Sequence, residues 1–306
     1  MAELHFPVML SECIEQLAIK PDGVYIDGTF GRGGHSSEIA KRLSGGKLYC
    51  IDRDDSAIEY GREKFAGVEN VHFIKGNFCE MPETVPEKAD GILLDLGVSS
   101  PQLDESERGF SYMADGPLDM RMDRERSLTA KEIVNAWSFE EIRHILSEYG
   151  EERYSAKIAS AILRAREKRE ISTTLELVDI IKSAMPGAAL REKQHPAKRS
   201  FQGLRIAVND ELGEVERFLE RLPDILKPSG RVVIITFHSL EDRLVKHAFK
   251  KAEKPCTCPP SIPVCVCGKK PTLRIVSTKP ILPSEDEVEK NPRSRSAKVR
   301  VAERLQ

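Results

Sequence analysis

The sequence lacks the features that carry a protein into or across a membrane. No apolar run in its 306 residues is long enough to span a bilayer, and its start, MAELHFPVML, lacks the basic head and unbroken apolar stretch of a signal peptide. A strong charge imbalance is also missing, because 47 Lys and Arg face 49 Asp and Glu. This excludes a wholly basic nucleic-acid coat protein. We therefore expect a cytoplasmic protein without membrane contact, in which any nucleic-acid contact is a local patch.

Cysteine is scarce outside one short segment. Cys13, Cys50 and Cys79 are scattered and are predicted to be small buried residues of a reducing compartment. The remaining four form C-x-C-x6-C-x-C among prolines: Cys256, Cys258, Cys265 and Cys267. Thiolates this close suit zinc, but zinc knuckles usually space their ligands as C-x2-C. The spacing alone favours reduced thiols and leaves a structural zinc ion as the alternative.

A glycine-rich loop follows the first predicted strand. In chain order the segment contains the strand Val24–Ile26, then Asp27, then Gly31, Gly33 and Gly34. Glycine lets the backbone approach a ligand closely, and the start of the next helix offers N–H groups. A dinucleotide loop would need glycine where Ser36 stands. The pattern D-x-x-x-G-x-G-G is instead similar to the first motif of class I S-adenosylmethionine methyltransferases, although this motif alone leaves nucleotide binding and a plain turn open.

The next two predicted strands add candidate cofactor contacts. Lys47–Ile51 ends at Asp52, about 20 residues beyond the loop, where a ribose diol would be hydrogen-bonded. A carboxylate suits a diol because two hydroxyl donors can share its two oxygens. Capping of the following helix is the alternative. After Val71–Ile74, Phe78 is predicted either to flank an adenine ring or to pack in the core.

The fourth predicted strand, Ala89–Leu94, is a near-continuous apolar run, typical of a parallel strand covered on both faces. Ligands of open α/β sheets lie beyond the carboxyl ends of such strands. The predicted catalytic residues therefore follow it: Asp95, Ser99, Ser100 and Pro101, with Gln102 beside them. The exocyclic amine of a base is a poor nucleophile because its lone pair is delocalised. Hydroxyl and carbonyl oxygens at 99–101 would accept its hydrogens as the nitrogen pyramidalises.

Six segments carry a resemblance to one family. They are His5–Glu12, Asp27–His35, Asp95–Asp104, Phe201–Leu212, Phe237–Arg243 and Asn291–Arg300. In this order, and over nearly the whole chain, they resemble the RsmH (MraW) family of bacterial 16S rRNA (cytosine-N4)-methyltransferases. The resemblance implies methyl transfer from S-adenosylmethionine to a cytidine amine in the decoding region of 16S rRNA, within the small ribosomal subunit. It also implies cofactor contacts at Gly33, Gly34, His35, Asp52, Phe78, Asp95 and Gln102.

The periodicity of the chain predicts an α/β core with a helical insertion. Strands and helices alternate up to residue 104, three helical segments follow, and the α/β pattern resumes near Leu204. We therefore predict a class I S-adenosylmethionine-dependent methyltransferase fold, a Rossmann-like doubly wound sheet. Its core would comprise residues 1–104 and 206–306, and an all-helical domain for RNA recognition would comprise 105–205.

The helical insertion also carries the main candidate RNA contacts. At helical spacing, a basic stripe is predicted at Arg153, Lys157, Arg164 and Lys168. A solvated surface is the plain alternative, and an RNA substrate turns the stripe into a phosphate contact. Further basic candidates are Arg199, in a run predicted to be a flexible loop, and Arg293 and Arg295 near the C-terminal end.

His238 follows the fifth predicted strand, and a general-base role competes there with orienting substrate or packing the crevice wall. Two other functions stay open on the residues alone. One is methylation of another amine, for example in DNA, and the other is a non-catalytic RNA-binding assembly factor. The intact cofactor loop, Asp52 and the 95–102 segment argue against the second.

Overall fold

A computed structural model describes residues 7–259, 264 and 266–306, without the side chains of Ser100 and Pro101. The chain forms two compact units. The first combines the residues up to Gly97 with those from Leu212 onward, and the second is Val98–Glu211. The boundaries predicted at 104/105 and 205/206 therefore fall inside the second unit.

One sheet of seven strands organises the first unit. The strands are β1 Val24–Asp27, β2 Lys47–Asp52, β3 Val71–Lys75, β4 Ala89–Asp95, β5 Leu226–Thr236, β6 Leu273–Ile275 and β7 Lys298–Arg304. Their order across the sheet is β3-β2-β1-β4-β5-β7-β6. β1 to β5 pair in parallel, and β7 is antiparallel to both of its neighbours. This order reverses direction beside β1, as it does in doubly wound sheets that bind ligands at such a point.

Helices connect these strands and form most of the second unit. They are α1 Leu10–Leu17, α2 Gly34–Ala40, α3 Asp55–Lys64, α4 Met81–Thr84, α5 Ser100–Asp104, α6 Ala130–Ala136, α7 Phe139–His144, α8 Ser155–Arg166, α9 Thr174–Ala184, α10 Gly187–Leu190, α11 Lys198–Asn209, α12 Glu211–Ile225, α13 Ser239–Glu253 and α14 Glu285–Lys290. Among the described residues, no helix has the length and apolar character needed to cross a membrane.

Two apolar clusters cover the two faces of the sheet. Because side chains alternate across a strand, Val232 and Ile234 of β5 join one cluster, while Val233 and Ile235 join the other. The first cluster also holds Phe218 of α12, and the second receives side chains of α1 and α2. Burial on both faces explains why these strands read as continuous apolar runs.

The second unit has a helical core of its own. Ile133, Ile158, Ile162, Leu177 and Leu204, from α6, α8, α9 and α11, are all fully or almost fully buried in it. Local signals start several of these helices. For example, Thr173 and Glu176 form a capping box at the start of α9.

Two local predictions in the second unit are corrected by the structure. The helix predicted over Arg153–Lys168 spans only Ser155–Arg166. The run Arg191–Arg199, predicted to be a flexible loop, connects α10 to α11 except at its last two residues, Lys198 and Arg199, which belong to α11. Apolar positions in α11, including Phe201 and Leu204, anchor that helix in the core, and this packing outweighs the polar run before it.

The long segment between α5 and α6 lacks regular helices but is held by buried polar groups. The Arg108 guanidinium, 5% exposed, donates to the carbonyls of Arg121 and Met122, each at 3.1 Å. The Asn209 side chain accepts the N–H of Met122 and donates to the carbonyl of Met120, both at 2.8 Å. These bonds satisfy backbone groups that no helix or sheet satisfies.

Truncation of a core leucine should unfold the second unit selectively. Leu177 of α9 is 0% exposed, so Leu177→Ala should cost about 2–5 kcal/mol through the cavity that it leaves. The single tryptophan, Trp137, packs against the same core and reports on this unit by its fluorescence during urea unfolding. Leu175→Ala on the same helix is the control, because Leu175 is 37% exposed. Equal losses in the two variants would contradict the assigned core.

Candidate functional site

The candidate site is built at the carboxyl end of β1. Asp27, the last residue of this strand, is 2% exposed. Its Oδ2 accepts the Ser36 hydroxyl at 2.6 Å, and its Oδ1 accepts the Thr29 N–H at 3.2 Å. The Thr29 hydroxyl in turn accepts the backbone N–H of Asp95, at 2.6 Å. The ends of β1 and β4 are thereby tied together.

The glycine loop needs its glycines for two different reasons. Gly31 and Gly33 have φ of +54° and +66°, a region that disfavours other residues. A Cβ on Gly33 would also lie 2.6 Å from the Phe30 ring, so that position is closed by packing. A Cβ on Gly31 would meet only the Thr29 carbonyl, at 4.0 Å, which leaves the backbone there open to a ligand.

Asp52 at the end of β2 holds this loop in place. Its Oδ2 accepts the N–H of Gly31 at 2.8 Å, and its Oδ1 accepts the N–H of Asp54 at 2.9 Å. A carboxylate has about four acceptor positions, so two remain for a ligand. The predicted helix-capping role belongs to Asp54, whose carboxylate accepts the N–H of Ser56.

Asp95, at the end of β4, has an unsatisfied buried atom. Among the described residues, no hydrogen-bond partner reaches its Oδ1, and its other oxygen lies 4.0 Å from Nδ1 of His35. His35 is buried, and its Nε2 lies 3.0 Å from the carbonyl of Val8. Because a carbonyl only accepts, Nε2 carries a hydrogen. A buried acceptor without a partner is costly, so Oδ1 of Asp95 is suited to a ligand that donates to it.

Three carboxyl groups therefore lie at the ends of adjacent parallel strands, and burial raises the pKa of each. The pKa of Asp95 rises to about 8, through burial and then through the charges of Asp27 and Glu241. Burial raises the pKa of Asp27 to about 6, against the hydrogen bonds from Ser36 and Thr29. The pKa of Asp52 is raised by burial, against the N–H groups of Asp54 and Gly31. A cation or a hydroxyl-rich ligand would relieve this cost.

His238 caps α13 through one ring nitrogen. Its Nδ1 accepts the N–H of Glu241 at 3.4 Å, and its Nε2 lies 3.1 Å from Oε1 of the same glutamate. The other Glu241 oxygen accepts the N–H groups of Phe237 and His238. The geometry thus accounts for His238 as a capping residue, and its catalytic role stays a prediction.

Other predicted site residues occupy varied positions. Phe78 is 5% exposed and packs edge-to-face on Phe218, with ring centroids 5.9 Å apart, as a core residue would. Gly34 starts α2, and a Cβ there would lie 2.8 Å from Pro7. Gln102 is buried in the second unit, where its Oε1 accepts the N–H of Ser99 at 3.0 Å. Ser100 and Pro101 lie in the first turn of α5 rather than in the predicted loop, and their side chains are outside the description.

The predicted RNA contacts are mostly at the surface. Arg153, Lys157, Arg164 and Lys168 are exposed, whereas Ile158 and Ile162 are buried on the other face of α8. Only Lys157 and Arg164 belong to the helix itself, and Arg153 pairs with Glu192 at 3.2 Å. Arg199 is half-buried. In the first unit, Arg293 and Arg295 are exposed on a single 3₁₀ turn, Pro292–Ser296.

The sequence pattern of the MraW methylase family matches residues 2–305. The chain belongs to this family. A protein from Acetivibrio thermocellus named ribosomal RNA small subunit methyltransferase H is 55% identical over 309 residues, 98% of this chain and 99% of its own. One of the same name from Symbiobacterium thermophilum is 52% identical over 312 residues, covering 100% of this chain and 98% of its own. A solved rRNA methylase from Streptococcus thermophilus covers 97% of this chain and 94% of its own, at 11% identity and a TM-score of 0.43.

Membership of a methylase family and the strand order identify a class I methyltransferase whose cofactor is S-adenosylmethionine. The residues at the strand ends fit this group. Asp52 keeps two acceptor positions for a ribose diol, Gly31 leaves its backbone open, and the bare Oδ1 of Asp95 suits a cationic donor.

Sequence reasoning missed three supporting residues. The Thr29 hydroxyl accepts the N–H of Asp95, and the Ser36 hydroxyl donates to Asp27. Glu241 accepts the N–H groups of Phe237 and His238. Thr29 and Ser36 stand within or beside the glycine motif, where hydroxyls can serve as buried acceptors and donors. Glu241 sits three residues after His238, the spacing of a capping box, and that signal was available in the sequence.

Replacing Asp95 should change how stability depends on pH. The folded protein keeps a proton on this carboxyl up to about pH 8, whereas the unfolded chain loses it near its ordinary pKa of about 3.9. The folded state therefore binds more protons in that window, so the group makes the wild type lose stability as pH rises. Between pH 6 and pH 8, Asp95→Asn should gain about 1–2 kcal/mol relative to the wild type in urea unfolding followed by circular dichroism.

Asp90 on the same strand provides the control. Burial raises the pKa of Asp90, but the hydrogen bonds from Lys227 and from the Val24 N–H and the nearby lysine charges bring it below its ordinary value overall. Asp90→Asn should therefore change stability equally at both pH values. If Asp95→Asn behaves in the same way, Asp95 is already ionised in the folded protein.

Proposed function

We propose that this protein transfers a methyl group from S-adenosylmethionine to the exocyclic N4 amine of a cytidine in the decoding region of 16S rRNA. The substrate is the small ribosomal subunit in the cytoplasm. The observation that carries the proposal is full-length similarity, at 52–55% identity, to proteins named ribosomal RNA small subunit methyltransferase H. The acidic site at the strand ends supports it.

The first unit serves as the cofactor-binding unit in this proposal. S-adenosylmethionine, when bound, supplies an electrophilic methyl group on a positively charged sulfur. Asp52 accepts the ribose hydroxyls while it holds the loop through Gly31. Gly33, Gly34 and His35 form the start of α2 beside it. Asp95 directs its unpartnered Oδ1 at a cationic group. Of the other contacts that the resemblance implies, Phe78 belongs to the first unit and Gln102 to the second.

The residues after β4 serve the target amine. When the nitrogen takes the methyl group, its lone pair would form the new N–C bond, the methyl–sulfur bond would break with its electron pair staying on sulfur, and one amine proton would pass to water. Oxygen atoms of Ser99, Ser100 and Pro101 accept the amine hydrogens, which favours the pyramidal geometry of attack. A strong base is unnecessary because the sulfonium already makes the methyl group reactive. This agrees with His238 acting as a helix cap.

Nucleoside analysis tests the reaction directly. Small subunits lacking base methylation are incubated with methyl-labelled S-adenosylmethionine and the protein, and the RNA is digested to nucleosides. We expect label in N4-methylated cytidine of 16S rRNA alone. Label in another nucleoside, or in duplex DNA supplied in parallel, would reassign the substrate. Binding of S-adenosylmethionine without any transfer would favour the assembly factor.

Asp52→Ala should weaken S-adenosylmethionine binding in the same protein by about 10- to 100-fold, through the loss of charge-assisted hydrogen bonds. Calorimetry measures the affinity. Asp55→Ala is the matched control, because Asp55 belongs to the same acidic run but is exposed and paired with Lys75. Equal affinity in both variants would remove Asp52 from the site. NAD should not bind either protein.

RNA contact is assigned to the helical unit. Replacing Arg153, Lys157, Arg164 and Lys168 with alanine in one variant should raise KM for small subunits. The slope of log KM against log salt concentration should become shallower by about 0.7–0.9 for each lost phosphate contact. Affinity for S-adenosylmethionine should not change. The same charge change at four exposed lysines elsewhere is the control: Lys88, Lys246, Lys250 and Lys251. If the two quadruple variants behave alike, the stripe is a solvated face, and Arg199, Arg293 and Arg295 are next to be tested.

A further inference from the structure

The cysteine segment lies in the connection between α13, which ends at Glu253, and β6, which begins at Leu273. The described part of this connection has no regular helix or strand. Two of its valines are unusually open to solvent, with Val264 70% and Val266 75% exposed. Connections of this length without secondary structure are uncommon in compact domains. These two valines therefore contribute little apolar burial to the order of the connection.

Three thiols of this connection converge in space. The Sγ atoms of Cys256, Cys258 and Cys267 all lie within 4.8 Å of one another. The Sγ atoms of Cys256 and Cys267 are 3.9 Å apart, although eleven positions separate them in the chain. The Sγ of Cys258 also accepts the N–H of Val266, at 3.4 Å. Cys267 is thus folded onto the first C-x-C pair.

These distances fit a metal better than a disulfide. Two bonded sulfurs would be about 2.05 Å apart. Two thiolates on one tetrahedral zinc, each bound at about 2.3 Å, lie about 3.8 Å apart, close to the observed 3.9 Å. An N–H directed at a sulfur supports a thiolate, because it places a partial positive charge beside the anion. The sequence adds Cys265, which lies outside the described residues.

We propose that Cys256, Cys258 and Cys267 bind a structural zinc ion that holds the connection between α13 and β6. Each thiol loses its proton to solvent as it coordinates. In the sequence, a single residue between the cysteines of each pair argued against zinc, because zinc knuckles usually have two residues between paired ligands. The structure removes that objection, because the ligands come from both pairs. Zinc is favoured among divalent ions because soft thiolates select it.

Metal content tests the site in the full-length protein, expressed with zinc and purified under reducing conditions. We expect about one zinc per chain by mass spectrometry of the metal, and less than about a tenth of that when Cys256, Cys258 and Cys267 are changed to serine. Cys79→Ser is the matched control, since Cys79 lies outside the cluster and should keep the full zinc content. Cobalt substituted for zinc should give a thiolate-to-metal charge-transfer band.

Proteolysis of the wild type supplies a readout that does not depend on a variant's folding. A chelator should speed trypsin cleavage after the exposed Lys269 by about tenfold or more, and added zinc should restore protection. Wild-type protein without stoichiometric zinc, or a triple variant that retains it, would overturn the proposal. Unchanged cleavage after chelation would overturn it as well. None of these results depends on the methyltransferase substrate.

Discussion

The structure depends on one constraint, the side-by-side carboxyl ends of β1, β2 and β4 in a parallel sheet. Parallel pairing brings Asp27, Asp52 and Asp95 to one edge, although they are far apart in the chain. Burial then raises the pKa of all three. The charge of Asp52 also raises the pKa of Asp27, and the charge of Asp27 raises the pKa of Asp95. The protein tolerates this cost at the place where a ligand with hydroxyl and cationic groups can offset it.

Neutral partners limit that cost. Ser36 and the Thr29 N–H bond to Asp27, and two backbone N–H groups bond to Asp52. Asp95 is the exception, because its Oδ1 has no hydrogen-bond partner among the described residues. Hydrogen bonds therefore satisfy the carboxylates at the ends of β1 and β2, and the unsatisfied acceptor is at β4. Preorganised acceptors of this kind lower the reorganisation needed when a ligand binds.

The two units divide the physical tasks. The first has a sheet covered on both faces, and its polar groups gather at strand ends. The second has a separate helical core and an exposed basic surface on α8. The cysteine connection belongs to the first unit, and its described residues are in neither apolar cluster of that unit. We propose that a metal, rather than apolar packing, holds this connection in place.

The sequence alone determined the doubly wound core, because strands buried on both faces appear as continuous apolar runs. It also determined the glycine loop, the acids at the ends of β2 and β4, and the family, because each is carried by short contiguous motifs. Tertiary structure decided what local patterns do not encode. Core packing anchors α11, which begins at Lys198 and so includes Arg199, the last residue of the polar run. Packing against Phe218 buried Phe78. Each depends on a partner supplied by tertiary packing or local geometry, which neither residue type nor periodicity reports. The contact of Cys256 with Cys267 has the same cause, since only the folded connection brings these two thiols together.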